Sequence, residues 1–204
     1  GADAIRWFML SDSPPDRDIQ WSNEGVSSAH KFVQKLWGIN RKILERNDPS
    51  ISQNEEDKFI SKFNKYLFKI SNLIEKFHLN VAVANFYEIT RLMSENISKN
   101  VSTKCLKENQ VKFMRIIMPF MPHIASECLS KLEGEKFYLK NNWPNVDSSI
   151  LKDENVTIVI QINGKKRGLL STKKDLDEKE AVAKAKNIEN IKKNLTSKKI
   201  VKNI

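Results

Sequence analysis

Three cations in a row, Lys165, Lys166 and Arg167, follow an Asn163-Gly164 pair at the end of the apolar run V-T-I-V-I-Q-I. With Lys173 and Lys174 a few residues on, they form a basic cluster of the kind that contacts phosphates. Asn-Gly supplies the positive φ values of a two-residue type I′ turn, and Val156, Ile158, Ile160 and Ile162 alternate with other residues at a period of two. Both features predict a β-hairpin. A two-residue loop sets Ile162 opposite Lys165, Gln161 opposite Lys166, Ile160 opposite Arg167 and Ile158 opposite Leu169. Paired residues share a face, so Lys165 and Arg167 are expected on one side and Lys166 on the other. A simpler alternative is that these lysines guard a strand edge against aggregation.

Other chemistry is sparse. His30, His78 and His123 lie on or beside different predicted helices and at no metal-ligand spacing, and a capping or packing role suits His123. Cys105 and Cys128 are 23 positions apart, outside any CxxC, and read as inert core thiols of a reducing cytoplasm. Asp12, Asp16 and Asp18 lack the glycine and terminal Glu of a calcium loop. Nucleotide-binding and hydrolase motifs are missing, so no catalytic, cofactor-binding or metal-binding residues are assigned. Trp7, Trp21, Trp37 and Trp143 could stack on bases, but Trp37, at helical spacing, reads as core.

The 204 residues carry a net charge of +10. Residues 151–204 hold 14 of the 35 Lys and Arg against 7 of the 25 Asp and Glu. A basic tail on a nearly balanced body suits a polyanion partner, although lysines that merely solubilise would look similar. No apolar run reaches the length of a membrane span, and a monomer acting away from membranes is expected.

The elements needed to carry the hairpin are mostly helical. G-A-D-A-I-R-W-F-M-L opens the chain as if cut from a longer polypeptide, with Ile5, Phe8 and Met9 as its apolar positions. Pro14 and Pro15 stop it, and Ser22 is placed to cap the next helix. Amphipathic stripes follow from Val26 to Leu44, from Phe59 to Phe77, from a cap at Asn80 onward, and from Thr103 to Met118, and a last helix starts at Pro122. The fold class is mainly α: an antiparallel helical bundle over 1–142, a linker over 143–152, and a small α+β domain over 153–204. In that last domain, helices follow the hairpin, and K-K-I-V-K-N-I reads as a final strand.

Three stretches, taken in order, carry a family resemblance: G-A-D-A-I-R-W-F-M-L-S-D-S-P-P-D-R-D-I-Q-W-S, M-P-F-M-P-H-I-A-S-E, and W-P followed by V-I-Q-I-N-G-K-K-R-G. They resemble the C-terminal part of the bacterial leucyl-tRNA synthetase family of class I, over essentially the whole chain. The resemblance implies an anticodon-binding-type bundle and a C-terminal domain touching the corner of tRNA(Leu), with Lys165, Lys166, Arg167, Lys173 and Lys174 as tRNA contacts. It also implies that ATP and Mg are used by the full-length enzyme, whose HIGH and KMSKS motifs, leucine pocket and editing domain lie outside this chain. The chain alone is then a catalytically inactive, tRNA-docking piece of a ligase. The alternative reading is a free-standing RNA-binding or synthetase-associated helical module.

Overall fold

The structure is a computed structural model that describes residues 1–140, 143–146, 155–173 and 177–195. The chain divides into two compact units, Gly1–Leu151 and Lys152–Ile204. Among the described residues, the first is a bundle of six helices: α1 (Ala2–Ser11), α2 (Asn23–Leu44), α3 (Gln53–Glu75), α4 (Leu79–Asn96), α5 (Thr103–Ile117) and α6 (Pro122–Glu133). A 3-10 turn follows at Phe137–Lys140. Helix α1 packs on α2 and α4, α3 on α4 and α5, and α5 on α6, around one apolar core that runs from Ala4 to Leu129.

The helix starts obey capping chemistry. The Ser22 hydroxyl accepts the Gly25 N–H at 3.0 Å, and Ser102 does the same for Cys105 at 3.1 Å; each satisfies a donor that the first helical turn leaves unpaired. Helix α4 starts one residue before the expected cap, with His78 rather than Asn80 at the N-cap position and no side-chain bond there. Its entry is governed instead by the end of α3. There the N–H of His78 reaches the Leu73 carbonyl at 2.8 Å and that of Phe77 reaches Ile74 at 2.9 Å, a Schellman arrangement that leaves no room for a long connection.

Helix α1 buries a different face from the one its apolar residues suggest. Asp3, Ala4, Trp7 and Phe8 turn inward, while Ile5 and Met9 are exposed. Trp7, only 1% exposed, decides the matter. It stacks on Phe32 at 4.5 Å, meets Phe86, Tyr87 and Phe120 within 6.2 Å, and donates its indole N–H to the Tyr87 hydroxyl at 2.9 Å. A buried indole needs that partner, and α1 rotates to supply it.

The segments on either side of the bundle sequence meet through Asp3. Its carboxylate accepts the N–H of Ile124 at 2.7 Å and of His123 at 3.3 Å, and lies 2.8 Å from His123 Nδ1. It therefore caps α6 from 120 residues away, where Pro122 already lacks a donor. One turn further along α1, Arg6 donates to the carbonyls of Pro119 and Phe120 at 2.5 and 3.2 Å, closing the end of α5. Two of the motifs that carry the resemblance thus lock into each other.

The second unit contains a hairpin of β1 (Asn155–Ile162) and β2 (Lys165–Lys173), with α7 (Glu178–Lys186) and α8 (Glu189–Leu195) packed on β2. Asn163 and Gly164 have φ of 52° and 75°, as a type I′ turn requires. The expected final strand lies outside the described residues. Trp143 to Val146, read from the sequence as the start of a linker, belong to the first unit, where Val146 packs on the core and the Trp143 indole N–H reaches the Ser71 hydroxyl at 3.1 Å.

Candidate nucleic-acid interface

The hairpin register corrects the simple pairing scheme. Ile162 pairs with Lys165 and Gln161 with Lys166, but Ile160 then pairs with Gly168, Val159 with Leu169 and Ile158 with Leu170. Arg167 is the extra residue of a β-bulge, opposite no single partner. The cause lies on the covered face. Ile191 of α8, 2% exposed, lies so close over Gly168 that a Cβ there would meet its Cδ1 at 3.4 Å. In the simple register a guanidinium would occupy that place beside Ile160, desolvated and unpaired. The bulge puts glycine there and leaves Arg167 exposed with Lys165 and Lys166.

Those three of the five expected tRNA-binding residues are brought together at the turn. Lys173 closes β2, at the far end of the strand from Lys165, and Lys174 lies outside the described residues. Three clustered cations beside a rigid turn can neutralise phosphates at little ordering cost, because the type I′ geometry holds their backbone.

Two groups of cations in the bundle differ in what they do. Arg6 and Arg46 are spent on carbonyls, Arg46 reaching Val101 at 2.6 Å and Lys99 at 2.5 Å, and Arg115 is buried against Glu133 at 2.5 Å. They hold the fold. Helix α2, by contrast, carries no Asp or Glu between Glu24 and Glu45, and exposes His30, Lys31, Gln34, Lys35, Arg41 and Lys42. Trp37, expected in the core, joins them at 36% exposure because Leu36, Ile39 and Ile43 take the inward positions. This surface was missed from sequence. Its signal is the absence of acids over nearly six helical turns, which a count of net charge averages away.

The cysteines are structural. Cys105 and Cys128 are buried free thiols, each with its pKa pushed up to about 12 by desolvation, which disfavours the thiolate a nucleophile needs. Among the described residues, no three His, Cys, Asp or Glu side chains gather to hold a metal ion, and no helix is long and apolar enough to cross a membrane.

The structure is thus a helical bundle, with a helix that exposes cations and carries no acid between Glu24 and Glu45, followed by a small unit with a basic hairpin tip. Residues 56–201 match the model of the anticodon-binding domain of tRNA ligases, and the chain belongs to that family. Among curated relatives, it is 34% identical to the leucine-tRNA ligase of Hyphomonas neptunium over 91% of this chain. It is 35% identical to that of Ehrlichia chaffeensis over 87%. In each case the chain spans about 22% of the relative's length. The fold matches, with a TM-score of 0.80 and 21% identity, a LeuRS of Agrobacterium radiobacter K84 solved in a ternary complex with tRNA and LeuAMS. That match takes in 100% of this chain and 27% of the other.

Proposed function

We propose that this chain is the tRNA-docking part of a cytoplasmic leucine-tRNA ligase, and that it positions tRNA(Leu) while the rest of such an enzyme joins leucine to it through leucyl-adenylate. The observation that carries the reading is the exposed cation triplet at the hairpin tip, found within a chain whose curated relatives are leucine-tRNA ligases. Lys165, Lys166 and Arg167 meet phosphates, with Lys173 and Lys174 extending the contact, and the acid-free face of α2 offers a second approach. In this reading the ATP and Mg used by such ligases are handled outside this chain, as the family resemblance implies.

Each phosphate neutralised releases counterion, so log affinity falls with log salt by roughly 0.7–0.9 per contact. Binding of a tRNA(Leu) transcript, followed by fluorescence anisotropy from about 50 to 200 mM salt, measures that slope. Replacing Lys165, Lys166 and Arg167 together by Ala should flatten it by about two units. An unchanged slope would remove the hairpin from the interface.

A further inference from the structure

The returning strand of the hairpin repeats residue types in pairs. From Lys165 it reads K-K-R-G-L-L-S-T-K, so that Leu169 and Leu170 stand side by side, as do the hydroxyl residues Ser171 and Thr172. Side chains alternate between the two faces of a strand, and a slip of one residue exchanges the two sets. In the bulged register, Gly168, Leu170 and Thr172 alternate onto the face that α8 covers at Gly168. Thr172 is 7% exposed there, while Leu169 is 52% exposed on the other face beside its partner Val159. Without the bulge, Arg167, Leu169 and Ser171 would take the covered face, again with one leucine and one hydroxyl residue. The apolar pattern that fixes register in most half-buried strands is therefore nearly neutral in β2.

What distinguishes the registers is the residue set opposite Ile160 and beneath Ile191. Ile191 is 2% exposed, and its Cδ1 would lie 3.4 Å from a Cβ at position 168, in ordinary contact, so that a longer side chain would drive into it. An arginine there would have to run its stem out from beneath Ile191 to keep its guanidinium in water, or leave it desolvated and unpaired. Lys165 and Lys166 precede the bulge, and their partners Ile162 and Gln161 are the same in either register. The choice therefore concerns Arg167 alone among the three cations at the turn. One register exposes it, and the other draws it toward α8.

We propose that β2 has two registers of similar apolar burial, and that Ile191 is the positioning residue that selects the bulged one and so presents Arg167 to phosphate. The presentation to phosphate rests on the tRNA-docking reading, whereas the choice of register does not. Seating of α8 over Gly168 and anion binding at Arg167 favour the same register, so each strengthens the other. The selection comes from steric fit: glycine leaves room for Ile191, and arginine does not.

The test is NMR of the isotope-enriched full chain, in which a cross-strand contact from Ile160 to Gly168 or to Arg167 reports the register. Ile191→Val removes the Cδ1 methyl over Gly168 and should raise the regular register to about 1–10%. It would be seen as a second set of amide signals, or as relaxation dispersion, over 158–160 and 167–172. Leu170→Thr and Leu169→Thr form a matched pair: the first takes the leucine from the covered face of the bulged register and should enlarge the minor state. The second takes it from the regular register and should abolish the minor state even beside Ile191→Val. A merely structural role for Ile191 would lower stability without producing a second register. A single bulged register in both Ile191→Val and Leu170→Thr, or equal effects of the two leucine substitutions, would overturn the proposal. Should Leu170→Thr fail to fold, Ile191→Val with and without Leu169→Thr decides the matter alone. Adding the tRNA(Leu) transcript to Ile191→Val should deplete the minor state about ten-fold or more, the worth of one charge-assisted contact; a minor state that bound tRNA leaves unchanged would overturn the presentation of Arg167. If the second register forms and the tRNA does not bind, the docking reading fails and the register choice stands. If the tRNA binds with a hairpin-dependent salt slope and neither variant slips, the reverse holds.

Discussion

Replacing Asp3 by Ala tests whether the first motif of the chain is architectural. The carboxylate is 8% exposed and has three donors around it. The Ile124 N–H, at 2.7 Å, is short and charge-assisted, so its loss costs about 1.5–3 kcal/mol. The His123 N–H, at 3.3 Å, is long and adds about 0.5 kcal/mol. The His123 ring is 74% exposed and can turn to water, so its contact with Asp3 adds little. The expected destabilisation is about 2–3 kcal/mol, at the upper end of measured N-cap losses. For a unit of this size it lowers Tm by roughly 4–12 °C. Urea unfolding followed by circular dichroism at 222 nm should show a lower midpoint with unchanged slope, and His123→Ala should shift the midpoint by less than about 0.5 kcal/mol equivalent. A loss below about 0.5 kcal/mol for Asp3→Ala, or an equal loss for His123→Ala, would refute the cap.

Gly25 and the cysteines give further expectations. A Cβ at Gly25 would lie 2.5 Å from Phe8 Cε2, inside a buried ring. Gly25→Ala should therefore destabilise by about 1–3 kcal/mol by overpacking, although helix propensity alone predicts a gain of about 1 kcal/mol; a rise in the denaturation midpoint would favour propensity. At pH 8 the native chain should leave both cysteines unmodified by iodoacetamide, whereas both should react in guanidinium. Because the folded thiols hold their protons up to about 12 against an ordinary 9.0, the unfolded chain releases protons first above pH 9. Stability contributed by the buried thiols is thus complete below pH 9 and declines as pH rises from there toward 12. Rapid native labelling, or alkaline stability independent of the two thiols in Cys→Ala variants, would contradict this.

Helix positions were legible because burial at a period near 3.6 and caps such as Ser22 and Ser102 are local signals. Where the sequence misled, a distant partner intervened. Ile5 and Met9 looked inward until Tyr87 and Phe32 supplied a socket for Trp7. Arg167 looked paired with Ile160 until Ile191, more than twenty residues on, claimed the space over Gly168. Trp37 looked like core because one helix face and its neighbour differ by a single residue step. The roles of Asp3 and Arg6 were invisible in the same way, since nothing near them in sequence shows what they touch, whereas Pro122 marked the α6 start at which His123 meets its expected capping contact. In the candidate interface, the cation cluster at the turn was plain from residue types alone. The acid-free face of α2 was hidden by averaging charge over the whole chain.

The cap on α6 also orders events during synthesis. Helix α1 leaves the ribosome well before α6, and Ile124, which its Asp3 must bind, is 121 residues behind. At about 5–20 residues per second the wait is roughly 6–24 s. Until then Trp7 lacks Phe120, Arg6 lacks its carbonyls, and α1 can be held only by α2 and α4. The cap and the Arg6 contacts are thus made late, once residues 119–124 are available, while α1 can already rest on α2 and α4.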